Sequence, residues 1–339
     1  MPADAGKGIP CRDVPRGTSI ESREPAHSQG NAMSAKIAVV GSNMMDLVTY
    51  VTRMPHPGET LEAPSFEMGH GGKGANQAIA AARLGSSVVM VSKVGDDDFA
   101  AATLRNFAAN GIDATHVTRV AGVSSGVAPI CVDPSGENSI LIVKGANDHL
   151  LGPDVEAAAD LLRGCDLILL QMEVPVETVY HTVAWAKANG VRTVLNPAPA
   201  AADLDITGIA DVSFLVPNET ELAILSGLPV TNEDEAETAA RSLIAKGIGT
   251  VIVTMGGRGA LLVEAGGVRR IAPVSVTPVD TTGAGDAFIA AFAHFHAGGE
   301  AVFEALNLAA LYAAHSITRR GTQKSYAGAD EFAAWRALR

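Results

Sequence analysis

The chain has 339 residues, 47% of them hydrophobic, and a formal net charge of −12. That apolar fraction at that length sustains a large core, either one α/β domain with a small insertion or two modest domains. The acidity is spread without long runs, which argues against nucleic acid or an anionic membrane as partner, and no apolar run approaches the ~18 residues of a membrane span.

Three cysteines, Cys11, Cys131 and Cys165, form no CxxC pair and are odd in number. They suit a reducing cytoplasm, as small apolar residues rather than disulfides. Residues 1–35 are rich in Pro, Gly, Ser and charge, lack periodicity, and read as a disordered leader. Asp4, Asp13, Glu21 and Glu24 argue against a mitochondrial transit peptide, and no apolar h-region supports a secretory signal. Met33 is an alternative start.

From Lys36 onward, over 36–339, short β-branched runs alternate with Ala-rich stretches. The pattern predicts strands over 37–40, 88–91, 167–170, 193–195, 214–216 and 251–254. It predicts helices over 77–84, 99–110, 177–189, 235–246 and 287–297. Continuous apolar strands alternating with helices imply a mostly parallel sheet covered on both faces. Two stretches, 60–68 and 126–143, break the rhythm and read as antiparallel strands, the second turning at Asp133-Pro134-Ser135-Gly136. Two β insertions in an α/β core predict one small lid, able to exclude water from a site beneath it.

Gly71-Gly72-Lys73-Gly74-Ala75-Asn76-Gln77 lies between the first insertion and a helix. Its glycines permit close backbone approach, and Lys73 and Asn76 offer polar groups suited to sugar hydroxyls. Gly69, Gly71 and Gly74 also fit GxGxxG, but no βαβ strand leads into them, and no GxxxxGK[ST] loop occurs. The acids Asp96–Asp98 read as a helix cap. Asn218-Glu219-Thr220-Glu221 reads as an ordinary helix start or as hard-oxygen groups near Mg²⁺-bound phosphates. Thr254-Met255-Gly256-Gly257-Arg258-Gly259 reads as a nucleotide-side loop or a plain glycine turn. His294 and His296, two apart, share no helix face, which disfavours a metal pair.

Val279-Asp280-Thr281-Thr282-Gly283-Ala284-Gly285-Asp286 carries the strongest signal. A Gly-Ala-Gly turn opens an apolar helix, where unpaired N–H groups can hold an anion. A carboxylate follows directly, able to take the proton of an attacking hydroxyl. Anion cradle and base together are the minimum for phosphoryl transfer to an alcohol.

Taken in order, these segments resemble the ribokinase (PfkB) family of carbohydrate kinases from about Lys36 to the C-terminus. The markers are Gly41-Ser42 with Asp46, Gly71 to Gln77, Gln171-Met172-Glu173, Asn196-Pro197-Ala198-Pro199-Ala200, Pro217 to Glu221, and Asp280 to Asp286. The resemblance implies a ribokinase-like three-layer α/β/α domain with a small β-sheet lid built from insertions over 48–69 and 122–145.

It also implies roles. Asp286 would be the base, with the amides of Gly283, Ala284 and Gly285 holding the transferring phosphoryl group. Asp46, Gly72, Lys73, Asn76 and Glu173 would hold the sugar. Asn218, Thr254, Gly256, Gly257, Arg258 and Gly259 would bind ATP, with Gly285 at its phosphates and Glu221 ordering Mg²⁺ indirectly. A monovalent cation, usually K⁺, would sit at Asp280, Thr282, Ser316, Arg319, Gly321 and Ser325, several through backbone carbonyls. Members often form homodimers through the lid.

Two departures stand out. Ala310 replaces the Asn or His often found beside adenine. Met44, two residues before Asp46, stands where many ribokinases carry Asn, and it offers an apolar surface instead of amide hydrogen bonds. With residues 41–50, 58–64, 124–130 and 214–225, Met44 is similar to the deoxyribokinase branch and suits a sugar lacking its 2-hydroxyl. Some ribokinases also carry Met here, so ribokinase proper is the alternative. Loss of catalysis in a sugar-binding regulatory protein finds no support in these motifs.

Overall fold

The apolar residues that follow Lys36 cannot all face one way, because strand side chains alternate. In the computed structural model, which describes residues 34–135 and 137–339, Ile37 and Val39 join one apolar core and Ala38 and Val40 another. Leu167 and Leu169 divide from Ile168 and Leu170 in the same way. The sheet is therefore a middle layer covered on both faces. The expected leader lies outside the described residues, apart from Ser34 and Ala35.

The strands are β1 (Lys36–Val40), β2 (Met44–Tyr50), β3 (Ser65–Gly71), β4 (Ser87–Val94), β5 (Asp113–Arg119), β6 (Val127–Val132), β7 (Asn138–Ile140), β8 (Leu167–Gln171), β9 (Arg192–Asn196), β10 (Phe214–Leu215), β11 (Thr250–Thr254), β12 (Ala260–Glu264) and β13 (Gly267–Ile271). Nine form the large sheet, in the order β13-β12-β11-β10-β9-β8-β1-β4-β5. It is parallel except for the antiparallel pairings of β12 and β13 at one edge.

The helices are α1 (Lys73–Arg83), α2 (Asp98–Ala109), α3 (Gly152–Ala157), α4 (Ala159–Leu162), α5 (Val176–Asn189), α6 (Glu219–Ser226), α7 (Glu233–Ile244), α8 (Ala284–Ala297), α9 (Val302–Ser316), α10 (Thr322–Ser325) and α11 (Ala329–Arg336). One core takes its helical residues from α1, α2, α8, α9 and α11, and the other from α3 to α7. Every predicted strand and helix of the α/β core has its counterpart. Helix α1 starts at Lys73, four residues before the predicted start, because glycine's poor helix propensity hides its first turn in the sequence. Asp97 caps α2, accepting from the Ala100 N–H at 3.0 Å.

The small sheet has the order β3-β2-β6-β7. Its hairpins β2–β3 and β6–β7 are antiparallel, but β2 and β6 join them in parallel. Strand β3 begins only at Ser65, just after Pro64, which has no N–H for a ladder. Strand β2 begins at Met44, with only three residues between it and the end of β1, so Met44 and Asp46 lie on the small sheet itself. Strands β5, β12 and β13 were not predicted: β5 and β13 are polar, largely exposed edge strands, and β12, although buried, follows directly on the glycine turn 256–259.

Because the core strands run parallel, their carboxyl ends share one rim. Gly41-Ser42-Asn43 leaves β1, Gln171-Met172-Glu173 ends and leaves β8, and Asn196, Asn218 and Thr254 stand at or just past β9, β10 and β11. Strand β1 has β8 on one side and β4 on the other, so chain order reverses there. Such a switch point is where open α/β sheets bind ligands.

Candidate active site

Gly283, whose φ of 76° is left-handed, precedes the first residue of helix α8 as its N-cap. A Cβ there would fall 2.4 Å from Thr322 and 2.5 Å from the Tyr326 hydroxyl. That hydroxyl donates to the Gly283 carbonyl at 3.0 Å and pins the turn. The Ala284 N–H bends back to the Thr281 carbonyl at 3.2 Å. Gly285 and Asp286 stand in the first helical turn, where N–H groups lack a preceding carbonyl. Nothing lies within 4 Å of a Cβ built on Gly285, so an anion can approach its backbone. All three residues of the expected cradle, Gly283, Ala284 and Gly285, line one cleft, with the Ala284 N–H engaged by Thr281 and Gly285 open to approach.

Asp286 is 6% exposed. Its Oδ2 accepts from Asn76 Nδ2 at 2.9 Å and its Oδ1 from Gln77 Nε2 at 3.0 Å. Each of those amides is held in turn. Gln171 Nε2 donates to Gln77 Oε1 at 2.7 Å. Gln323 Nε2 donates to Asn76 Oδ1 at 3.0 Å, and Asn106 Nδ2 to Gln323 Oε1 at 2.9 Å. Arg83 holds the carbonyls of Gln323 and Tyr326.

Beside this network stand the residues expected at a sugar. Asp46 lies opposite Gly69 across β2–β3, and Met44 opposite Gly71. A Cβ on Gly71 would fall 2.2 Å from the Asp46 carboxylate, so the glycine makes room for it. Burial, then the charges of Glu173 and Asp286, push the Asp46 carboxyl up to about 7. Glu173 is 5% exposed and its Oε2 accepts from the Ser42 hydroxyl at 2.6 Å and the Lys73 N–H at 2.8 Å. Burial lowers the Lys73 ammonium, but Asp286, Glu173 and Glu221 outweigh it and the net shift is upward. Met44 is buried. Gly72, at φ 85°, brings its backbone against Asn43 and Met44, and a Cβ there would sit 2.7 Å from Asn43 Cα and Met44 N.

A cleft of about 210 Å³ opens from Asp286 toward α6 and β11, lined among others by Lys73, Asn196, Asn218, Glu221, Thr254 and Gly285. Asn218 caps α6 by accepting from the Glu221 N–H at 2.8 Å. Glu221 answers with Oε2 on the Asn218 N–H at 2.8 Å and Oε1 on Asn218 Nδ2 at 2.9 Å. Both readings of this segment meet here: it is a capping box, and it lines the cleft. Burial raises the Glu221 carboxyl; the Asn218 N–H and Lys73 oppose this and Asp286 adds to it, leaving it raised. The Thr254 N–H donates to the Pro217 carbonyl at 2.9 Å. Gly256 and Gly257 are exposed, Gly259 is half-buried, and Arg258 pairs with Glu219.

Asp280 joins the two loops expected at the cation. Its Oδ1 accepts from the Thr282 N–H and its Oδ2 from the Gly321 N–H, both at 2.9 Å. Burial acts to raise its carboxyl, but these bonds and Arg320 prevail and lower it. The Ser316 and Ser325 hydroxyls donate to Ala313 and Thr322 carbonyls, and the Arg319 guanidinium pairs with Glu331. Arg319 can therefore serve a cation only through its carbonyl. Among the described residues no group of three or more His, Cys, Asp and Glu could hold a metal ion. His294 bonds the Ser86 hydroxyl at 2.7 Å, and His296 stacks on Phe292.

Sequence reasoning gave no role to Gln77, Gln171, Gln323, Tyr326 or Asn196. Gln77 had a usable signal, since Lys73, Asn76 and Gln77 share a helix face at i, i+3 and i+4.

Over residues 34–327 the chain matches the family described as pfkB family carbohydrate kinase. It is 52% identical over 296 residues to the deoxyribokinase of Salmonella typhi, covering 87% of this chain and 97% of that relative. It is 39% identical over 293 residues to the ribokinase of Haemophilus influenzae, covering 86% and 95%. The crystal structure of ribokinase from Thermotoga maritima superposes with a TM-score of 0.82 at 35% identity, over 89% of this chain and 99% of that one. With the rim, the cradle and the buried carboxylate in place, the chain belongs to the pfkB family of carbohydrate kinases.

Proposed function

We propose that this protein transfers the γ-phosphoryl group of ATP to the 5-hydroxyl of a pentose, foremost 2-deoxy-D-ribose and more weakly D-ribose. The observation that carries the kinase reading is Asp286, buried and fixed by two amides at the open end of its own helix. Asp286 takes the proton of the primary hydroxyl as the sugar oxygen bonds to phosphorus and the bond to the leaving ADP oxygen breaks. The amides at Gly285 and Asp286, with the α8 dipole, hold the phosphoryl oxygens. Lys73, kept charged by three carboxylates, neutralises charge where sugar and phosphate meet. Positioning of this kind is most of what phosphoryl transfer asks of a protein.

Deoxyribose is favoured by Met44. A 2-hydroxyl buried against a thioether loses its hydrogen bonds, at a cost of roughly 1–3 kcal/mol, whereas a methylene does not. The greater identity to deoxyribokinase than to ribokinase supports the same order. Apolar contacts reject an added hydroxyl only weakly, so ribose remains a substrate. The kcat/KM values for the two sugars at saturating MgATP test the assignment. A preference for ribose would keep the mechanism and make ribose the substrate.

The hard oxygens of Glu221 and Asn218 suit Mg²⁺ held through water, and Mg²⁺ supplies charge neutralisation at the phosphates. Asp280 and the carbonyls and hydroxyls of 282 and 316–325 suit K⁺, whose part is to order the cradle turn. Adenine lies toward Gly256–Arg258 and α9 at Ala310. The small sheet is a lid, and the exposure of Phe66, Met68, Ile140 and Leu141 supports a homodimer formed through it. A cytoplasmic location fits the supply of ATP. Among the described residues no helix is long and apolar enough to cross a membrane.

A further inference from the structure

A chain of primary amides has a direction, because each amide has one accepting and one donating end. A carboxylate at the end of such a chain only accepts. Gln77 therefore turns Nε2 to Asp286 and Oε1 to Gln171, and Gln171 must donate. The result is visible at the far end. Among the described residues Gln171 Oε1 is buried with no hydrogen-bond partner, packed 2.0 Å from where a Cβ on Gly41 would stand. An unpaired buried carbonyl is a fault that native proteins seldom keep. Turning Gln171 over would face its oxygen against that of Gln77 instead. Both glutamines are 0% exposed and neither lines the cleft, so they act on the substrate only through Asp286.

We propose that Gln77 and Gln171 are positioning residues, a relay polarised toward Asp286 that fixes the plane of its carboxylate against the sugar hydroxyl. The proposal rests on the reading of Asp286 as the base.

The test uses the full chain with MgATP and deoxyribose, and follows kcat, sugar KM, melting temperature and the pH dependence of kcat. Q77M should lower kcat at least about tenfold while the sugar KM stays within about threefold. Q171M should lower kcat less and leave the melting temperature unchanged, since it removes one unpaired carbonyl and leaves another at Gln77. In the Q77M background Q171M should add nothing, as expected of one chain acting as a unit. Q77E sets a second carboxylate against Asp286, so the pair retains a proton and the acid limb of the kcat profile moves up by about one pH unit or more. Should Q77E not fold, the two methionine variants decide. Wild-type kcat in folded Q77M, multiplying effects of the two methionine changes, or kcat losses that only track melting temperature would each overturn the relay. Asp286→Asn run beside them separates the two readings. If it turns over normally, the base assignment fails; if it is inactive while Q77M is normal, the relay alone fails.

Discussion

The two walls of the cleft are held in different ways. The inner wall, with Lys73 and Asp286, is tied to Ser42, Asn76, Gln77 and Glu173 behind it by hydrogen bonds that span up to 210 residues of the chain. The outer wall is tied within itself: Asn218 and Glu221 cap one turn, and Gly256 and Gly257 stand exposed. On the proposed function, tertiary packing preforms the sugar side, where geometry decides the rate. On the side proposed for the nucleotide, a local capping box and two contacts between neighbouring strand ends, Thr254 with Pro217 and Arg258 with Glu219, suffice, and open glycines leave room for adjustment.

The strongest way to break this contrast is Asp286→Asn. Loss of a positioned base should lower kcat by ~10²–10⁴, with melting temperature and MgATP affinity retained; near-normal turnover would remove the inner wall's claim on catalysis. Gly72→Ala should come next. Its left-handed φ and a Cβ 2.7 Å from the Asn43 and Met44 backbone predict a loss of about 1–3 kcal/mol in denaturant titration, with a raised sugar KM. Met44→Asn should move the ribose-to-deoxyribose ratio of kcat/KM toward ribose by about tenfold. An unchanged ratio would place selectivity elsewhere.

The pH dependence of stability sharpens the contrast further. Folding raises the Asp46 carboxyl from 3.8 to about 7, so the folded state binds this proton more tightly than the unfolded chain. The contribution is present in acid and is lost as pH rises through about 7. Relative to Asp46→Asn, sugar-free wild type should therefore lose stability across that window; parallel curves for the two proteins would refute the shift. The smallest effect belongs to the outer wall. Nothing lies within 4 Å of a Cβ on Gly257, so Gly257→Ala should stay within about 0.5 kcal/mol of wild type.

The same contrast governs what could be read from the letters. The α8 start was legible because cradle and carboxylate are contiguous in Gly283-Ala284-Gly285-Asp286. The capping box at Asn218 was legible because its partners are three residues apart. Gln77, Gln323 and Tyr326 were not, since their bonds to Asp286, Asn76 and Gly283 join segments 209, 247 and 43 residues away. The parallel core strands announced themselves through continuous apolar runs, whereas the buried run of β12 was hidden behind its glycine turn. Strands β5 and β13 gave no such run because an edge strand has little to bury. Strand β2 escaped notice in part because Gly41-Ser42-Asn43 separates it from β1 by only three residues.

Helix α8 packs on α1, and the base it carries meets amides that left the ribosome some 200 residues earlier. Until α8 has been synthesised, α1 can pack only on the sheet strands made before α8, and Asn76 and Gln77 have no carboxylate to bind. Long-range closure of this kind is slow and leaves apolar surface open during synthesis. The nascent chain is therefore exposed to aggregation and proteolysis in the interval between completing α1 and completing α8, and turnover requires that synthesis has passed α8.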